Sequence, residues 1–260
     1  MLKGFFIALS FLTIFPLKTK GYGEKELRNS VIFFPFVGFV EGVFLATMAK
    51  YTGLFFSSFF VSAFLITALF CIRGIFHVDG LADTFDALFY KGSGDYERDL
   101  RKRLEIMKDS TTGVGGVTAV VVSILLKFFL LREIVEYRDF FALIAIFSLS
   151  RWFIITVMYF GKPASTTGLG AIFLGKISRK NLLIATLLPL TLVIYFLLIY
   201  KNLFLLVAII TIYGIIMLIK RSFERVFSGL TGDNLGAIIE LSEILLLLAF
   251  LLENKVWLSL

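Results

Sequence analysis

The chain has 260 residues, of which 58% are hydrophobic, and it carries a formal net charge of +7. That apolar share exceeds the roughly 45–50% of soluble domains, so the composition excludes an ordinary soluble protein and predicts a polytopic membrane protein. The basic residues are dispersed among loops without a recognisable binding module, so no nucleic-acid partner is expected. The single cysteine, Cys71, excludes an intrachain disulfide.

Apolar stretches of about 20 residues, the length that crosses a bilayer as a helix, divide the chain. A shorter one, Met1–Phe15, is ended by Pro16 and has no small-residue cleavage site after it, which predicts a retained interfacial or re-entrant helix. The sequence therefore predicts an all-α bundle with about seven spans in one membrane domain, residues 1–260. The predicted spans are Val31–Ala49, Leu54–Ile72, Gly113–Leu131, Phe140–Phe160, Leu182–Tyr200, Leu203–Ile219 and Leu235–Leu252.

Lys and Arg are divided unevenly between the two sets of loops that seven spans create. The poorer set holds few of them, among them Lys50 and Lys127. By the positive-inside rule the richer set is cytoplasmic, which predicts a multi-pass protein of the cell membrane. Within that set, Gly92–Met107 has apolar residues at helical spacing among charges and predicts an amphipathic helix on the membrane surface. The richer set consists of Leu17–Ser30, Arg73–Thr112, Gly161–Asn181 and Lys220–Asn234.

The segment Arg73–Phe89 places one His and three Asp in an otherwise apolar run directly after a predicted span. Asp79, Asp83 and Asp86 are spaced i, i+4, i+7, so they share one face if the segment is helical. Like charges on one face repel unless a cation lies among them, and Mg²⁺ takes oxygen ligands that it shares with substrate phosphates. The pattern predicts a magnesium site. The alternative is that Asp79 caps a helix and the other two face water.

Three further polar segments fall on the same predicted side, namely Glu105–Gly116, Gly161–Gly170 and Ser228–Gly236. Each is rich in Gly, Ser, Thr or Asp and precedes a helix or span. Glycine lets the backbone approach a ligand, and the amides at a helix start bind phosphate. Singly, each segment is typical of a flexible turn; together they predict the rim of an active site that faces the cytoplasm.

Ionisable residues also lie inside the predicted spans. Glu240 and Glu243 either interact with the positive end of their own helix or serve the active site. Arg151 either pairs with Glu41 for structural reasons or points at a phosphate, and we favour the phosphate. A lone His is more often structural, but the closeness of His77 to the Asp residues makes it a candidate for metal, phosphate or proton-transfer duty.

The ordered set of motifs resembles the cobalamin synthase family, adenosylcobinamide-GDP ribazoletransferases, over essentially the whole chain. A lone Asp-Gly-x-x-Asp-x-x-Asp is shared with other membrane transferases, whereas the ordered set is specific. Ala87, where relatives commonly have Gly, is a minor departure. The residues that carry the resemblance are Gly74-x-x-His77-x-Asp79-Gly-Leu-Ala-Asp83-Thr-x-Asp86, Glu105-Ile-Met-Lys-Asp-Ser-x-x-Gly, Gly168-Leu-Gly170, Gly175-Lys176 and Thr231-Gly-Asp-x-x-Gly236-Ala-x-x-Glu240-x-x-Glu243.

The resemblance implies Mg²⁺-dependent transfer of phosphocobinamide from adenosylcobinamide-GDP to α-ribazole or its 5′-phosphate, with release of GMP. Asp79, Asp83 and Asp86 are then expected to hold one or two Mg²⁺ ions, and Asp83, Asp86 or His77 to accept the hydroxyl proton. The expected partners are these small molecules and the lipid bilayer, with a second copy of the chain or other corrinoid-assembly enzymes as further candidates. The expected substrate-binding residues are Arg73, Lys108, Asp109, Ser110, Arg151, Thr231, Gly232, Asp233, Glu240 and Glu243.

Three other classes fit less well. A membrane prenyltransferase normally has two similar Asp-rich segments, and the second acidic set here, Asp233 with the two glutamates of the last span, is built differently. A CDP-alcohol phosphotransferase should carry Ala-Arg soon after Asp-Gly and a downstream Gly-x-x-x-Asp-x-x-x-Asp, and neither is present. An ion-coupled transporter would use Glu41, Arg151 and Glu240 as a relay among midplane polar residues. Here the polar residues crowd one face, which favours an enzyme.

Overall fold

The computed structural model describes residues 2–15, 22–109, 111–200 and 203–259, without the side chains of 169, 200 and 254–259. This part of the chain is helical, and its one β-type pairing is an isolated bridge between Pro163 and Leu230. The all-α prediction is therefore confirmed. The helices are α1 Leu2–Leu12, α2 Glu24–Ser30 with a 3₁₀ turn Val31–Phe33 after it, α3 Phe34–Thr52, α4 Ser58–Arg73, α5 Phe76–Phe89, α6 Tyr96–Ile106, α7 Val114–Glu136, α8 Phe140–Phe160, α9 Gly168–Phe173, α10 Arg179–Tyr200, α11 Phe204–Phe227 and α12 Gly232–Ser259.

In the described chain six helical segments are long and apolar enough to cross a membrane, and a seventh arises if α4 and α5 count as one span. This agrees with the predicted number, and the span Phe140–Phe160 has the predicted bounds. The second span differs from the prediction, because α4 begins at Ser58 rather than Leu54 and the chain then bends by 94° into α5. The short N-terminal helix is present as α1, while Met1, Pro16 and the first residues of the following loop lie outside the described residues.

The interior of the bundle is formed by α8 and α12. Within the 18-residue apolar stretch of each helix, 78% is buried in α8 and 72% in α12, against 17% in α10. Helix α3 packs along α8, while α5, α7, α8 and α11 all contact α12. The outer face of α10 exposes large apolar side chains such as Leu187 and Leu198. Since apolar surface of this kind is stable against lipid, α10 lies at the rim and α12 at the centre.

The break between α4 and α5 depends on glycine. Gly74 has φ 67° and ψ −154°, a conformation that side chains other than glycine rarely adopt, and its amide donates to the carbonyl of Phe70 at 2.9 Å. Helix α5 then crosses the start of α12 so closely that a Cβ on Gly80 would lie 2.7 Å from the carbonyl oxygen of Asp233. These two glycines place the helix that carries the Asp residues across the first turn of α12.

The polar loops meet at this same end of the bundle. The amide of Ala164 donates to the carbonyl of Leu230 at 2.9 Å, and the amide of Leu230 donates to the carbonyl of Lys162 at 2.7 Å. The predicted surface helix is present as α6, and its Tyr96 hydroxyl donates to the carbonyl of Arg225 at the end of α11, at 3.3 Å. The predicted grouping of the motif loops at one end is therefore confirmed.

The turn into α6 is fixed by Asp99, which accepts hydrogen bonds from the Ser93 amide at 2.7 Å and the Ser93 hydroxyl at 2.8 Å. The Ser93 amide, followed by the Ser93 hydroxyl and the Gly94 amide, holds the pKa of Asp99 below its usual value despite the burial of the carboxyl group. Asp95 caps the helix by accepting from the Arg98 amide at 3.1 Å. A charged helix is thus anchored next to the loop that leads to Lys108.

Candidate active site

Four aspartates from two helices meet where α5 crosses α12. Asp79 is exposed, and Asp83, Asp86 and Asp233 are half-buried. Asp83 lies close enough to the other three for their negative charges to repel its own. None of the ion pairs among the described residues involves any of the four. The structure thus brings Asp233 of α12 near the three aspartates of α5.

Asp86 differs from its neighbours because both of its oxygens are already engaged. One oxygen accepts from the amide of Gly113 and the other from the amide of Gly116, each at 2.7 Å, at the first turn of α7. A carboxylate is stabilised there by the unpaired amides and the positive end of the helix. Asp86 therefore fastens α7 to α5, whereas no described residue donates a hydrogen bond to Asp83. The metal and proton-transfer roles expected for Asp86 stay predictions, and they compete with this contact.

Beside the aspartates lies a cavity of ≈280 Å³ at the junction of the end of α6, the loop before α9 and the start of α12. Most of its lining residues come from the three polar segments that the sequence analysis singled out, Glu105–Gly116, Gly161–Gly170 and Ser228–Gly236. Lys108 is the cationic side chain among its lining residues, and Asp233 belongs both to this cavity and to the Asp cluster. The lining residues are Leu104, Met107, Lys108, Ala164, Ser165, Thr167, Gly168, Gly170, Ala171, Leu230, Thr231, Gly232 and Asp233.

Two residues next to Lys108 were also expected to bind substrate. Asp109 is exposed and accepts a hydrogen bond from the amide of Thr111 at 3.0 Å. The Thr111 amide, and then its hydroxyl, hold the pKa of Asp109 below its usual value. Asp109 is outside the lining of the cavity, so it shapes the loop between α6 and α7. Ser110 lies outside the described residues.

The first turn of α12 is held by a reciprocal pair. The Thr231 hydroxyl accepts from the amide of Asn234 at 3.2 Å, and the Asn234 side-chain oxygen accepts from the amide of Thr231 at 3.0 Å. Asn234 is fully buried, and its side-chain nitrogen donates to the Thr84 hydroxyl on α5 at 3.1 Å. Neither Asn234 nor Thr84 was predicted from the sequence. For Asn234 the available signal was a polar residue at the start of a helix. With Thr231 serving as the cap, Gly232 and Asp233 present the positive end of α12 to the cavity.

Glu243 is the centre of a buried ion-pair network inside the bundle. Its carboxylate contacts three cations: Lys127 at 2.6 Å, Arg151 at 2.7 Å and Arg73 at 2.8 Å. Each cation comes from a different helix, and Glu243 itself is fully buried. Three charge-assisted contacts offset the cost of burying this carboxylate.

The same cations reach two more carboxylates. Glu41 contacts both arginines, with Arg151 at 3.0 Å, and Glu240 contacts Lys127 at 2.7 Å. The Ser123 hydroxyl also donates to Glu240, at 3.3 Å. The network holds three positive and three negative groups, and none of the six residues is more than 6% exposed. Balanced pairing of this kind is how charges persist within a membrane bundle.

This arrangement differs from what was expected of four residues. Arg73, Arg151, Glu240 and Glu243 were expected to bind substrate, but their charged groups are directed at one another. For Arg151 the structural alternative, pairing with Glu41, is the one found. Lys127, which the sequence analysis counted on the side that is poorer in Lys and Arg, is buried and completes the network.

His77 also faces away from the Asp cluster. Two residues along a helix correspond to about 200° of rotation, so His77 and Asp79 lie on opposite faces of α5. His77 lines a small separate cavity of ≈20 Å³ together with Arg73, Lys127 and Glu240. Its Nδ1 atom is buried without a hydrogen-bond partner among the described residues. The side chain therefore adjoins the ion-pair network.

The Asp cluster suits a hard divalent cation by its chemistry. Carboxylate oxygens are the ligands that Mg²⁺ prefers, and here they repel one another without a compensating Lys or Arg. Among the described residues, no three carboxylate, His or Cys side chains are already gathered at metal-binding separation. Mg²⁺ usually takes one or two protein carboxylates and completes its shell with water and phosphate. Two of the four aspartates, Asp79 of α5 and Asp233 of α12, are enough to supply the one or two carboxylates that Mg²⁺ needs.

An acidic cluster beside a Gly- and Thr-lined cavity, at one end of a bundle of apolar helices, is typical of a membrane-embedded enzyme with a polar substrate. The model of the family described as cobalamin-5-phosphate synthase matches residues 4–251, and the chain belongs to that family. Membership makes it a transferase of cobalamin biosynthesis and confirms the resemblance carried by the sequence motifs.

The chain is similar over nearly its whole length to proteins named adenosylcobinamide-GDP ribazoletransferase. The protein of Thermodesulfovibrio yellowstonii is 49% identical and covers 100% of both chains. That of Clostridioides difficile is 34% identical over 95% of this chain and 96% of its own. That of Klebsiella pneumoniae strain 342 is 32% identical over 96% of this chain and 100% of its own. No solved structure matches the chain.

Proposed function

We propose that the chain is a Mg²⁺-dependent adenosylcobinamide-GDP ribazoletransferase. It would transfer phosphocobinamide from adenosylcobinamide-GDP to α-ribazole or its 5′-phosphate and release GMP. The names of its full-length relatives support this activity. The observation that carries the proposal is that Asp233 lies both beside Asp83 and in the cavity that Lys108 lines. An anionic pyrophosphate in that cavity would meet a cation, a helix N-terminus and a site for Mg²⁺.

The reaction forms one phosphorus–oxygen bond and breaks another. A ribose hydroxyl oxygen of the acceptor attacks the phosphorus next to cobinamide, the bond from that phosphorus to the bridging oxygen breaks, and GMP leaves with the bridging oxygen. Such transfers depend on in-line positioning and on neutralising charge more than on covalent help from the protein. Lys108 and the amides at the start of α12 are the groups of this chain that would bind and orient the pyrophosphate.

Asp83 is the residue we assign to the hydroxyl proton. Sequence reasoning left Asp83, Asp86 and His77 open. Asp86 is occupied by the amides of α7, and His77 lies on the other face of α5. A general base must reach the proton that it accepts. Of the three candidates, only Asp83 both belongs to the Asp cluster and accepts no hydrogen bond from a described residue.

Asp79 and Asp233 are the residues that would hold Mg²⁺. When bound, the ion supplies compensation for the charge of the pyrophosphate and of the departing GMP. The two aspartates come from different helices, so their spacing depends on the close crossing at Gly80. The end of the bundle that carries this site would face the cytoplasm of the cell, because the basic loops lie at the same end.

The test is a turnover assay with purified protein in detergent. Mass spectrometry would follow adenosylcobalamin and GMP formed from adenosylcobinamide-GDP, α-ribazole and Mg²⁺. We expect equal amounts of both products, none after chelation of Mg²⁺, and recovery when Mg²⁺ is restored. Formation of GMP without a corrinoid product would indicate hydrolysis and contradict the transfer. Activity undiminished by chelation would contradict the assignment of the metal.

A further inference from the structure

A second polar cavity opens at the same end of the bundle. It has a volume of ≈330 Å³, within the range of small-molecule sites. Its walls come from the first turn of α6, the loop after α8 and the end of α11. The Pro163–Leu230 pairing stands between its lining residues and those of the candidate active site. It is lined by Tyr96, Lys162, Arg221, Glu224, Arg225, Ser228 and Gly229.

The charge of this cavity is strongly positive. None of the ion pairs among the described residues uses Lys162, Arg221 or Arg225. The one acid in the lining, Glu224, is already satisfied by the Lys220 ammonium at 2.9 Å and by the amide of Lys162 at 2.9 Å. The pair of Glu224 with Lys220, which lies outside the lining, is neutral, so Lys162, Arg221 and Arg225 leave a surplus of three positive charges.

The end of α11 opposes this charge only weakly. A helix C-terminus is equivalent to roughly half a negative charge, which explains one basic residue there but not a surplus of three. Two guanidinium groups and an ammonium group around one cavity provide many donors and no acceptor. Arginine recognises phosphate oxygens through two parallel hydrogen bonds, so the ligand chemistry that fits is a phosphate group.

The position of the cavity along α11 favours a lipid as the source of that phosphate. The outer face of α11 is apolar and exposed as far as Leu218, which is 60% exposed. Arg221 and Arg225 follow three and seven residues later, about 4.5 and 10 Å further along the helix axis at 1.5 Å per residue. The headgroup layer is about 5–7 Å thick on each side of the hydrocarbon core. The cations thus begin where the hydrocarbon ends.

We propose that this cavity binds the phosphate of an anionic phospholipid in the leaflet that faces the active-site end. A lipid in this position keeps its acyl chains against the apolar face of α11 and its phosphate between Lys162, Arg221 and Arg225. The Tyr96 hydroxyl joins α6 to the carbonyl of Arg225, so a bound lipid steadies the helix that leads to Lys108. The proposal is independent of the proposed activity.

The test measures lipid binding by the full chain, using native mass spectrometry in detergent with phosphatidylglycerol, phosphatidylcholine or inorganic phosphate as the added probe. We expect phosphatidylglycerol to bind in preference to phosphatidylcholine. Arg221→Gln together with Arg225→Gln should weaken phosphatidylglycerol binding about tenfold or more, as expected for lost charge-assisted hydrogen bonds. The matched control is Arg98→Gln with Arg101→Gln, which removes the same charge from exposed positions of α6 outside the cavity.

Four results would overturn the proposal. Equal weakening in the control variant would mean general attraction between charges. Equal binding of phosphatidylcholine, which has no net charge, would mean that the positive charge of the cavity does not select the lipid. Binding of inorganic phosphate with the same dependence on Arg221 and Arg225 would assign the cavity to a soluble phosphate. Lys162→Gln changes the opposite wall and keeps the test decisive if the double variant does not fold. If Lys162→Gln bound phosphatidylglycerol with wild-type affinity, Lys162 would not belong to a lipid site and the proposal would be wrong.

Discussion

Replacement of Lys127 by methionine tests whether the buried ion-pair network behaves as a balanced unit. Methionine keeps the length and most of the volume of lysine, so packing in α7 should survive while one positive charge disappears. Glu243 retains Arg73 and Arg151, at 2.8 and 2.7 Å. Among the described residues, Glu240 then retains one partner, the hydroxyl of Ser123 at 3.3 Å. The damage should therefore fall on Glu240.

The magnitude follows from leaving one buried carboxylate without its cation. Removal of one partner from a buried pair costs about 3–5 kcal/mol, whereas removal of both often costs little. For a chain of this size that corresponds to a fall in Tm of about 6–20 °C at about 2–4 °C per kcal/mol. Lys127→Met combined with Glu240→Gln removes one charge of each sign, and it should recover most of the lost Tm.

The assay is thermal unfolding of the purified variants in one detergent, followed by helical circular dichroism and by size exclusion after heating. Lys50→Met serves as the control, because Lys50 is exposed at the other end of the bundle. A double variant no more stable than Lys127→Met would show that the two residues are not coupled. That result, or a single variant as stable as the control, would refute the account of the network.

The other expectations concern the active-site end. Asp83→Asn should lower GMP release about a thousandfold in a protein that remains folded, while Glu97→Gln on α6 should leave it unchanged; near-normal turnover would exclude Asp83. Gly80→Ala puts a Cβ 2.7 Å from a backbone oxygen of α12 and should cost about 1–3 kcal/mol in thermal unfolding with a loss of turnover. A Cβ on Gly214 would have no neighbour within 4 Å, so the control Gly214→Ala should change neither the thermal stability nor the turnover. A cysteine at Ser165 in a cysteine-free chain should react with a membrane-impermeant reagent only after cells are opened, and labelling of intact cells would reverse the topology.

The helices were predictable because apolar length is a local property of a sequence. The span Phe140–Phe160 has the expected bounds, and the three aspartates lie on the helix that their spacing requires. The predicted end of the second span at Ile72 lies one residue before the end of α4, whereas the 94° bend into α5 was not predicted. A local sequence pattern indicates that a segment is helical, but it does not give the angle between that helix and the next one.

The partners of the charged residues were not predictable, because they meet across long separations in sequence. Arg73 and Glu243 are 170 positions apart, and Asn234 and Thr84 are 150 apart. Lys127 looked like one more basic residue of a loop, since its two carboxylate partners lie in a helix more than 110 positions later. The sequence identified which residues are unusual, and the structure shows which of them pair with one another and which line a cavity.

The composition of the ion-pair network bears on the order in which the chain can mature in a membrane. Two of its three carboxylates, Glu240 and Glu243, belong to α12, which is synthesised after the helices that carry the three cations. Until α12 enters, the inserted helices hold three cations against Glu41 alone. Each unpaired charge at the bilayer centre costs about 2.5–3.5 kcal/mol on insertion scales. Before α12 is inserted, the earlier helices therefore carry two uncompensated positive charges in this network. Insertion of α12 neutralises these charges and also places Asp233 at the active-site end.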